Sequence, residues 1–471
     1  MQQAGYRLVT DLPEALRPWR DRPIAWEGAS PSTGTYHLND SGVYLYYPTA
    51  DSEGLDHPVG QIQFGLGCLA SYRVETDPAR RTVFLARALT QADRLIQQHI
   101  ESRGWWFGYG FDFTHTTHSG VTYTAPWYSG MAQGEALSLF VQLAAVLPEA
   151  ERAPYMAAAD GAFASLQVED GGNPWAVNTD SAGYLWIQEY PANEQGTGAS
   201  DYTFNGMIFA MLGVYDYWCA TGDPAAAALY DACATTIAAY WPRLRNPKWY
   251  AYYCNAHRIP ATTYQQHHIR LLEQIGRHTG SPDFFDHAER LVDDCPAPGV
   301  SGTVQFQAGS FTLYRFDTAA SGTWVSTKGD AQLEARTVIF SQDTRAPASM
   351  RRRIQGRGIY YLISAGAYAG WWVGENWQTA YLLGSILPTV YWPARTLTFP
   401  GGSTPVEVCK VAADGTVTGR KTASFVNPSN APSSQRAIVN GRPQFLISAG
   451  PYTGYWVPAS AVTADTAPAV G

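Results

Sequence analysis

Apolar positions between about residues 57 and 292 recur three and four apart, the spacing of helices that bury one face, and they are interrupted by loops rich in Gly, Pro, Asp and aromatic residues. This pattern predicts helices near 57–72, 82–102, 131–147, 150–167, 204–221, 224–241, 263–280 and 282–293. Several edges are marked. Asp223-Pro224 and Ser281-Pro282 open helices, while Gly222 and Gly280 close the ones before them. Successive helical hairpins with aromatic loops gathered at one end predict an (α/α) toroid whose groove holds an extended chain. Upstream, TYHLNDSGVYLYYP (35–48) alternates apolar and polar residues as a β-hairpin does. After Cys295-Pro296-Ala297-Pro298 the sequence turns to short β-like runs of Thr, Val, Gly and Arg, which marks a domain boundary.

The β-rich part repeats itself. YYLISAGAYAGWWV (Tyr360–Val373) aligns with QFLISAGPYTGYWV (Gln444–Val457) at an offset of 84 residues, with nine of fourteen positions identical. VQFQAG (Val304–Gly309) and LTFPGG (Leu397–Gly402) open the two copies. The expected organisation is multidomain α plus β: a β-hairpin segment at 1–56, a toroid at 57–298, and all-β modules at 299–385 and 386–471. In each repeat the Gly-Trp-Trp or Gly-Tyr-Trp edge either stacks on sugar rings or is core, with core favoured for Trp372 and Trp456.

Charge separates the same two parts. Residues 1–299 carry 18 Lys and Arg against 32 Asp and Glu, and residues 300–471 carry 14 against 8. The basic C-terminal part is suited either to attracting a polyanion or to plain solubility. Charged residues make up 15% of the chain, against roughly 25% in ordinary soluble domains, while 16 Trp and 29 Tyr are abundant. That balance favours surfaces that grip sugars and argues against a nucleic-acid binder. No apolar run approaches the roughly 18 residues that span a bilayer, and the first residues lack a basic-then-apolar export signal. Localisation therefore stays open. The six cysteines lie far apart with no CxxC pair, so neither a zinc site nor a disulfide framework is expected.

Three stretches of the helical part concentrate polar and aromatic residues without the regular spacing of a core face: Trp127–Phe140, Trp186–Pro191 with Tyr202–Asp216, and Trp249–Ile275. Together they resemble the C-terminal catalytic domain of the D-glucuronyl C5-epimerases, which invert glucuronate to iduronate within heparan-type chains. The resemblance covers about residues 55–280. It rests on five elements in order: His57–Leu66, the Ser-x-Met-Ala-Gln-Gly run at Ser129–Gly134, Glu189-Tyr190-Pro191, Asn205-Gly206 leading to Leu212–Asp216, and Tyr264 through His268-Ile269.

The chemistry can be argued apart from the family. The C5 hydrogen lies α to a carboxylate and is barely acidic, so one group removes it while neighbours offset the growing charge, and another returns a proton on the opposite face. Two proton-transfer groups suffice; neither metal nor nicotinamide cofactor is required. The resemblance implies Glu189 and Tyr264 as the opposed pair, with a tyrosine of the Trp249–Asn255 stretch assisting. Spacing after Trp249 favours Tyr252 for that role, with Tyr253 as the alternative. Where the family pattern is closer to Tyr-Asp-Leu-Arg-His, this chain has Tyr252-Tyr253-Cys254-Asn255-Ala256-His257-Arg258, which makes Arg258 the nearest group to hold the uronate carboxylate.

Trp127, Tyr128, Tyr190 and His268 complete the expected sugar contacts. Gln133 and Asn205 either donate to sugar hydroxyls or cap helices. His115 and His118 of HTTH are read as rim residues rather than metal ligands. The expected partner is a glucuronate-containing polysaccharide such as heparosan, and the resemblance implies a homodimer. Competing functions are a toroidal uronate lyase, which expels the C4 substituent after the same proton is taken, an inverting hydrolase using two of Glu135, Glu189, Glu194 and Asp201, and a non-catalytic glycan-binding protein.

Overall fold

A computed structural model describes residues 1–23, 38–49, 51–115, 120–169, 172–192, 200–261, 264–295, 299–317 and 330–465. His118, Glu194, the Pro296–Pro298 junction and the first three residues of the expected hairpin lie outside them. Chain contacts divide the protein into two compact units, 1–244 with 252–259, and 245–251 with 260–471.

In the first unit, a one-turn helix α1 (Pro18–Asp21) precedes α2 (Pro58–Val74), α3 (Pro78–Gln98), α4 (Gly130–Val146), α5 (Ala153–Ser165), α6 (Phe204–Thr221) and α7 (Pro224–Leu244). The predicted edges at Gly222, Pro224, Gly280 and Pro282 hold, while the helix expected over 82–102 runs earlier, from Pro78 to Gln98. Asp77 caps α3 through its carboxylate, and Gly222 closes α6 at φ 70° in the left-handed region that glycine tolerates. Burial separates the helices into two kinds. On α4 and α6 almost every residue is buried, and so is most of α2, whereas α3 buries only a stripe at Phe84, Ala88, Gln91, Ala92 and Leu95. The helices pack as the hairpins α2–α3, α4–α5 and α6–α7, with α4 touching both α2 and α6, so the helices buried along most of their length sit together and the partly exposed ones flank them.

The glycines of the family-like motifs explain the closest of these approaches. A Cβ on Gly213 would lie 1.7 Å from the Gly134 carbonyl oxygen, and one on Gly134 would lie 2.3 Å from Ala210 Cα, so α4 and α6 cross backbone to backbone. Before α2, the hairpin is reduced to the bridges Leu38–Tyr44 and Tyr46–Leu55 around an Asn39 turn, and Tyr44 stacks on Phe64 of α2.

Between the helices run short strands: β1 (Ile100–Glu101), β2 (Trp105–Trp106), β3 (Gly108–Tyr109), β4 (Phe113–Thr114), β5 (Thr122–Tyr123), β6 (Trp127–Tyr128), β7 (Val177–Thr179) and β8 (Leu185–Ile187). They pair β1 with β2, β3 with β6, β4 with β5, and β7 with β8.

The second unit contains α8 (Gln265–Thr279), α9 (Pro282–Asp294) and two seven-stranded sheets. The first sheet comprises β9 (Gly299–Phe306), β10 (Gly309–Phe316), β11 (Gln332–Phe340), β12 (Thr344–Arg353), β13 (Ile359–Ile363), β14 (Trp372–Gly374) and β15 (Ala380–Leu382). The second comprises β16 (Ser385–Phe399), β17 (Val406–Val411), β18 (Val417–Ala423), β19 (Ser429–Val439), β20 (Arg442–Ile447), β21 (Trp456–Pro458) and β22 (Thr463–Ala464). Their orders are β11-β10-β14-β13-β12-β9-β15 and β18-β17-β21-β20-β19-β16-β22, the same topology twice. The two helices belong with the second sheet. Phe285 of α9 shares a core with Tyr391, Leu397 and Phe445, and Arg395 bonds Asp286 of α9 at 2.6 Å.

Strand register makes the repeat residue-specific. Tyr314 pairs with Trp372 as Cys409 does with Trp456, so Arg315 corresponds to Lys410; Arg336 pairs with Leu313 as Lys421 does with Val408. In the first copy Arg315 lies 4.8 Å and Arg336 5.3 Å from the Trp371 ring; in the second, Lys410 lies 5.0 Å and Lys421 4.9 Å from Tyr455. Trp372 and Trp456 are buried, as core residues.

Candidate functional site

Glu189 follows β8 directly, and its strand is anchored where Gly130, at the start of α4, donates its N–H to the Gln188 carbonyl at 2.7 Å. Gly206, in the first turn of α6, gives the carboxylate its seat: a Cβ there would fall 2.2 Å from Oε2 of Glu189. The carboxyl is buried and its pKa is pushed up to about 8, chiefly because burial penalises the charged form, with Asp201 and Glu135 adding repulsion and bonds from Tyr190 and Tyr253 opposing the rise. The Tyr253 hydroxyl donates toward both carboxylate oxygens, at 3.5 and 3.4 Å. Among the described residues no cation forms an ion pair with Glu189. Burial therefore favours its protonated form, a carboxylic acid with a proton to lend.

A second segment brings Tyr253 there. Residues 200–204 run antiparallel to 253–256, with Phe204 N–H donating to the Tyr253 carbonyl and Asn255 N–H to the Tyr202 carbonyl. Tyr202 turns the chain at φ 54°, and its N–H is held by Gln188 Oε1 at 3.1 Å. The same pairing delivers Asp201, which is wholly buried, with Oδ2 3.4 Å from His115 Nδ1 and Oδ1 3.5 Å from His257 Nδ1. His115 in turn packs against Tyr190, with ring centroids 5.0 Å apart, and edge-on against Tyr253 at 5.8 Å. An aromatic wall continues from Tyr190 through Tyr123 and Trp127 to Tyr109, whose ring stacks on Trp127 at 3.8 Å.

The structure brings together Glu189, Tyr190, Tyr253 and Trp127 of the expected residues, and it distributes the others elsewhere. It is Tyr253 whose hydroxyl meets Glu189, whereas Tyr252 lies under the Arg258 guanidinium, 4.6 Å from ring centroid to cation. Gln133 is fully buried and its amide is used within the fold: Oε1 accepts from Phe107 N–H, and Nε2 donates to the Trp105 carbonyl and to Ser165 Oγ. Tyr128 packs edge-on against Trp106. Asn205 is buried in the first turn of α6, next to the glycine that seats Glu189, and among the described residues its Oδ1 accepts no hydrogen bond.

Tyr264 and His268 belong to the second unit, at the start of α8 and in its first turns. His268 is wholly buried, and burial pushes its imidazole down to about 3. Sequence reasoning missed the Asp201–His115–His257 grouping. Its members are far apart in the chain, joined by the pairing of 200–204 with 253–256 and by the packing of the His115 ring on Tyr190 and Tyr253, so no spacing signalled it. No group of three or more His, Cys, Asp or Glu suited to a metal ion occurs among the described residues.

With this geometry in place, comparison with known proteins is informative. Residues 102–292 match the family model of the D-glucuronyl C5-epimerase C-terminus. That segment holds β2 through α8, Glu189 and the whole cluster around it. No curated protein is significantly similar to the chain. Among solved structures the chain is similar to a GH76 α-mannanase from Bacteroides thetaiotaomicron, at 12% identity and a TM-score of 0.37, over 55% of this chain and 63% of that one. It is also similar to a D-mannose isomerase, at 12% identity and a TM-score of 0.35, over 55% of this chain and 66% of that one. Both alignments span less than two thirds of the other protein.

Proposed function

We propose that the protein is a C5-epimerase acting on D-glucuronate residues within a polysaccharide. The helical part is read as an (α/α) toroid, and the domains as 1–56, 57–298, 299–385 and 386–471, with the two β modules holding the polymer. The observation that carries the reading is the buried Glu189 carboxyl, kept protonated near neutral pH beside a tyrosine hydroxyl and a wall of aromatic rings. A carboxylic acid in that state can deliver a proton to C5 while the carbanion formed at that carbon is delocalised into the uronate carboxylate. Tyr264 is the second proton-transfer group that the family resemblance implies. Tyr253 takes the assisting role, since its hydroxyl can follow the charge on Glu189 as the proton leaves.

Incubation with N-acetylheparosan and other glucuronans in deuterated water tests this. Deuterium should appear at C5 without chain cleavage, and Glu189→Gln should reduce its appearance at least a thousandfold with the fold intact. An ultraviolet-absorbing product would make the protein a lyase instead, and exchange that survives in the Gln variant would remove Glu189 from the reaction.

A further inference from the structure

The aromatic wall beside Glu189 does not end at Tyr109. That ring lies 5.9 Å from Phe111, Phe111 stacks on Tyr46 at 5.6 Å, and Tyr46 meets the His57 imidazole at 5.3 Å. Phe113 joins this row to the site, since its ring stacks with Trp127 at 5.8 Å and with Tyr190, the residue after Glu189, at 5.9 Å. Burial sorts the rings into two layers. Tyr109, Tyr123 and Trp127 are core, whereas Tyr46, Phe111, Phe113 and His57 are half-buried. The inner layer holds the outer one in place: Trp127 Nε1 donates to the Phe111 carbonyl at 2.9 Å, and β4, which carries Phe113, pairs with β5.

His57 adds a polar group to the row. Its Nδ1 accepts the Gly60 N–H at 2.9 Å and so caps α2, which leaves the proton of the neutral ring on Nε2. Burial keeps the ring neutral by pulling its pKa down to about 4. Asp56, the residue before it, is pinned by Arg94 at 2.8 Å. Among the described residues no hydrogen bond uses Nε2, so its N–H is a donor available beside Tyr46. Charge is what this surface lacks. Each β module lays cations over its rings, but among the described residues none lies over Tyr46, Phe111 or Phe113. An uncharged sugar offers what such a surface takes, a face of C–H groups for the rings and oxygen acceptors for an N–H. A sulfated sugar would bring charge here with no cation to meet it.

We propose that Tyr46, Phe111 and His57 form a subsite for an uncharged pyranose, such as an N-acetylated hexosamine, next to the glucuronate that reacts at Glu189. The inference rests on the epimerase reading and deepens it: the substrate is a chain in which glucuronate neighbours an uncharged sugar rather than an N-sulfated one. The sugar stacks on Phe111 and Tyr46, and His57 Nε2 donates to one of its oxygens. This gives a role to His57, which opens the first family-like motif and takes no part in the proton transfer.

Deuterium incorporation at C5, measured with the full chain on N-acetylheparosan and on the same polymer after N-deacetylation and N-sulfation, tests the subsite. The parent should show a KM about tenfold lower on the N-acetylated polymer. Phe111→Leu, which keeps an apolar side chain but no ring, should raise that KM about tenfold with kcat changed far less, and Phe111→Tyr should hold it within about threefold of the parent. Should Phe111→Leu fold poorly, Tyr46→Leu is read in the same way. Equal KM values on the two polymers, or a lower one on the N-sulfated polymer, overturn the uncharged sugar. A KM that the Leu variant leaves within about threefold of the parent, a loss confined to kcat, or a Tyr variant as poor as the Leu variant overturns the stacking subsite. A parent with no exchange on any glucuronan removes the epimerase and this subsite together, whereas an active parent with indifferent variants removes only the subsite.

Discussion

Among the described residues the first unit buries two glutamates, Glu135 and Glu189, and surrounds them differently. Glu135, on α4, faces the Arg22 guanidinium at 3.9 Å and accepts from Gln63 Nε2 at 3.0 Å; one and two helical turns on, Ser138 and Gln142 donate to Asp216, which also faces Arg22. Burial pushes Glu135 up to about 7, with Arg22 and Gln63 restraining the rise. Glu189 is as deeply buried but has phenols where Glu135 has a guanidinium, and it climbs to about 8 with repulsion from two other carboxylates. The cost of burial is common to both. The difference is whether the fold supplies a cation, and with it whether the carboxyl is consumed in holding helices together or kept free to exchange a proton.

Removing the cation is the harshest way to break this comparison. Arg22→Met leaves Glu135 and Asp216 buried without their common partner and should cost about 3–5 kcal/mol of stability, read from denaturant unfolding at pH 7. A loss under 1 kcal/mol would show that the cluster is not held by charge.

A subtler change probes the other carboxyl. The folded-state pKa of Glu189, about 8, lies above its ordinary value of 4.5, so between those pH values the folded state binds more protons than the unfolded one. Its contribution to stability is therefore greatest below pH 4.5 and falls as pH rises toward 8. Glu189→Gln abolishes that dependence. The variant should match the parent near pH 5 and exceed it by a few kcal/mol near pH 8.5. Parallel stability profiles would mean that the carboxyl is solvated. Glu135 has the same sign over a narrower window, ending near 7.

How much of this was legible in the sequence depends on the range of the cause. Helices fixed by local periodicity and by Pro and Gly punctuation fell close to where the pattern placed them, from α2 at Pro58–Val74 to α9 at Pro282–Asp294, whereas the one expected over 82–102, whose start the periodicity alone did not mark, runs from Pro78 to Gln98. The tandem repeat was legible too, because the two sheets inherit one topology from one pattern. Motif glycines could be recognised but not interpreted: the close crossing at Gly134 and Gly213, and the seat that Gly206 gives Glu189, are contacts between segments. The choice between Tyr252 and Tyr253 was equally hidden. Neighbours in an extended segment point opposite ways, and only the pairing of 253–256 with 200–204 decides which one faces Glu189. Gln133 resembled a sugar ligand because its type is ambiguous, and its partners lie on β2, on α5 and at Phe107.

The smallest expected effect concerns the two β modules. Four exposed cations, Arg315, Arg336, Lys410 and Lys421, occupy equivalent register positions and lie against Trp371 or Tyr455. Trp371 is 7% exposed, so its ring face is taken by guanidinium and is not open to stack on a sugar. What the patch of the first copy offers a polymer is therefore charge rather than stacking. Exposed charges are screened within about 10 Å at 0.1 M salt and individually contribute little. Replacing all four by Gln should weaken binding to a long glucuronan only a few-fold at low salt and not at all at 0.5 M, with C5 exchange on short oligosaccharides unchanged. A salt-independent loss would point to stacking after all. Unchanged affinity at low salt would dismiss these four cations as contacts of the polymer.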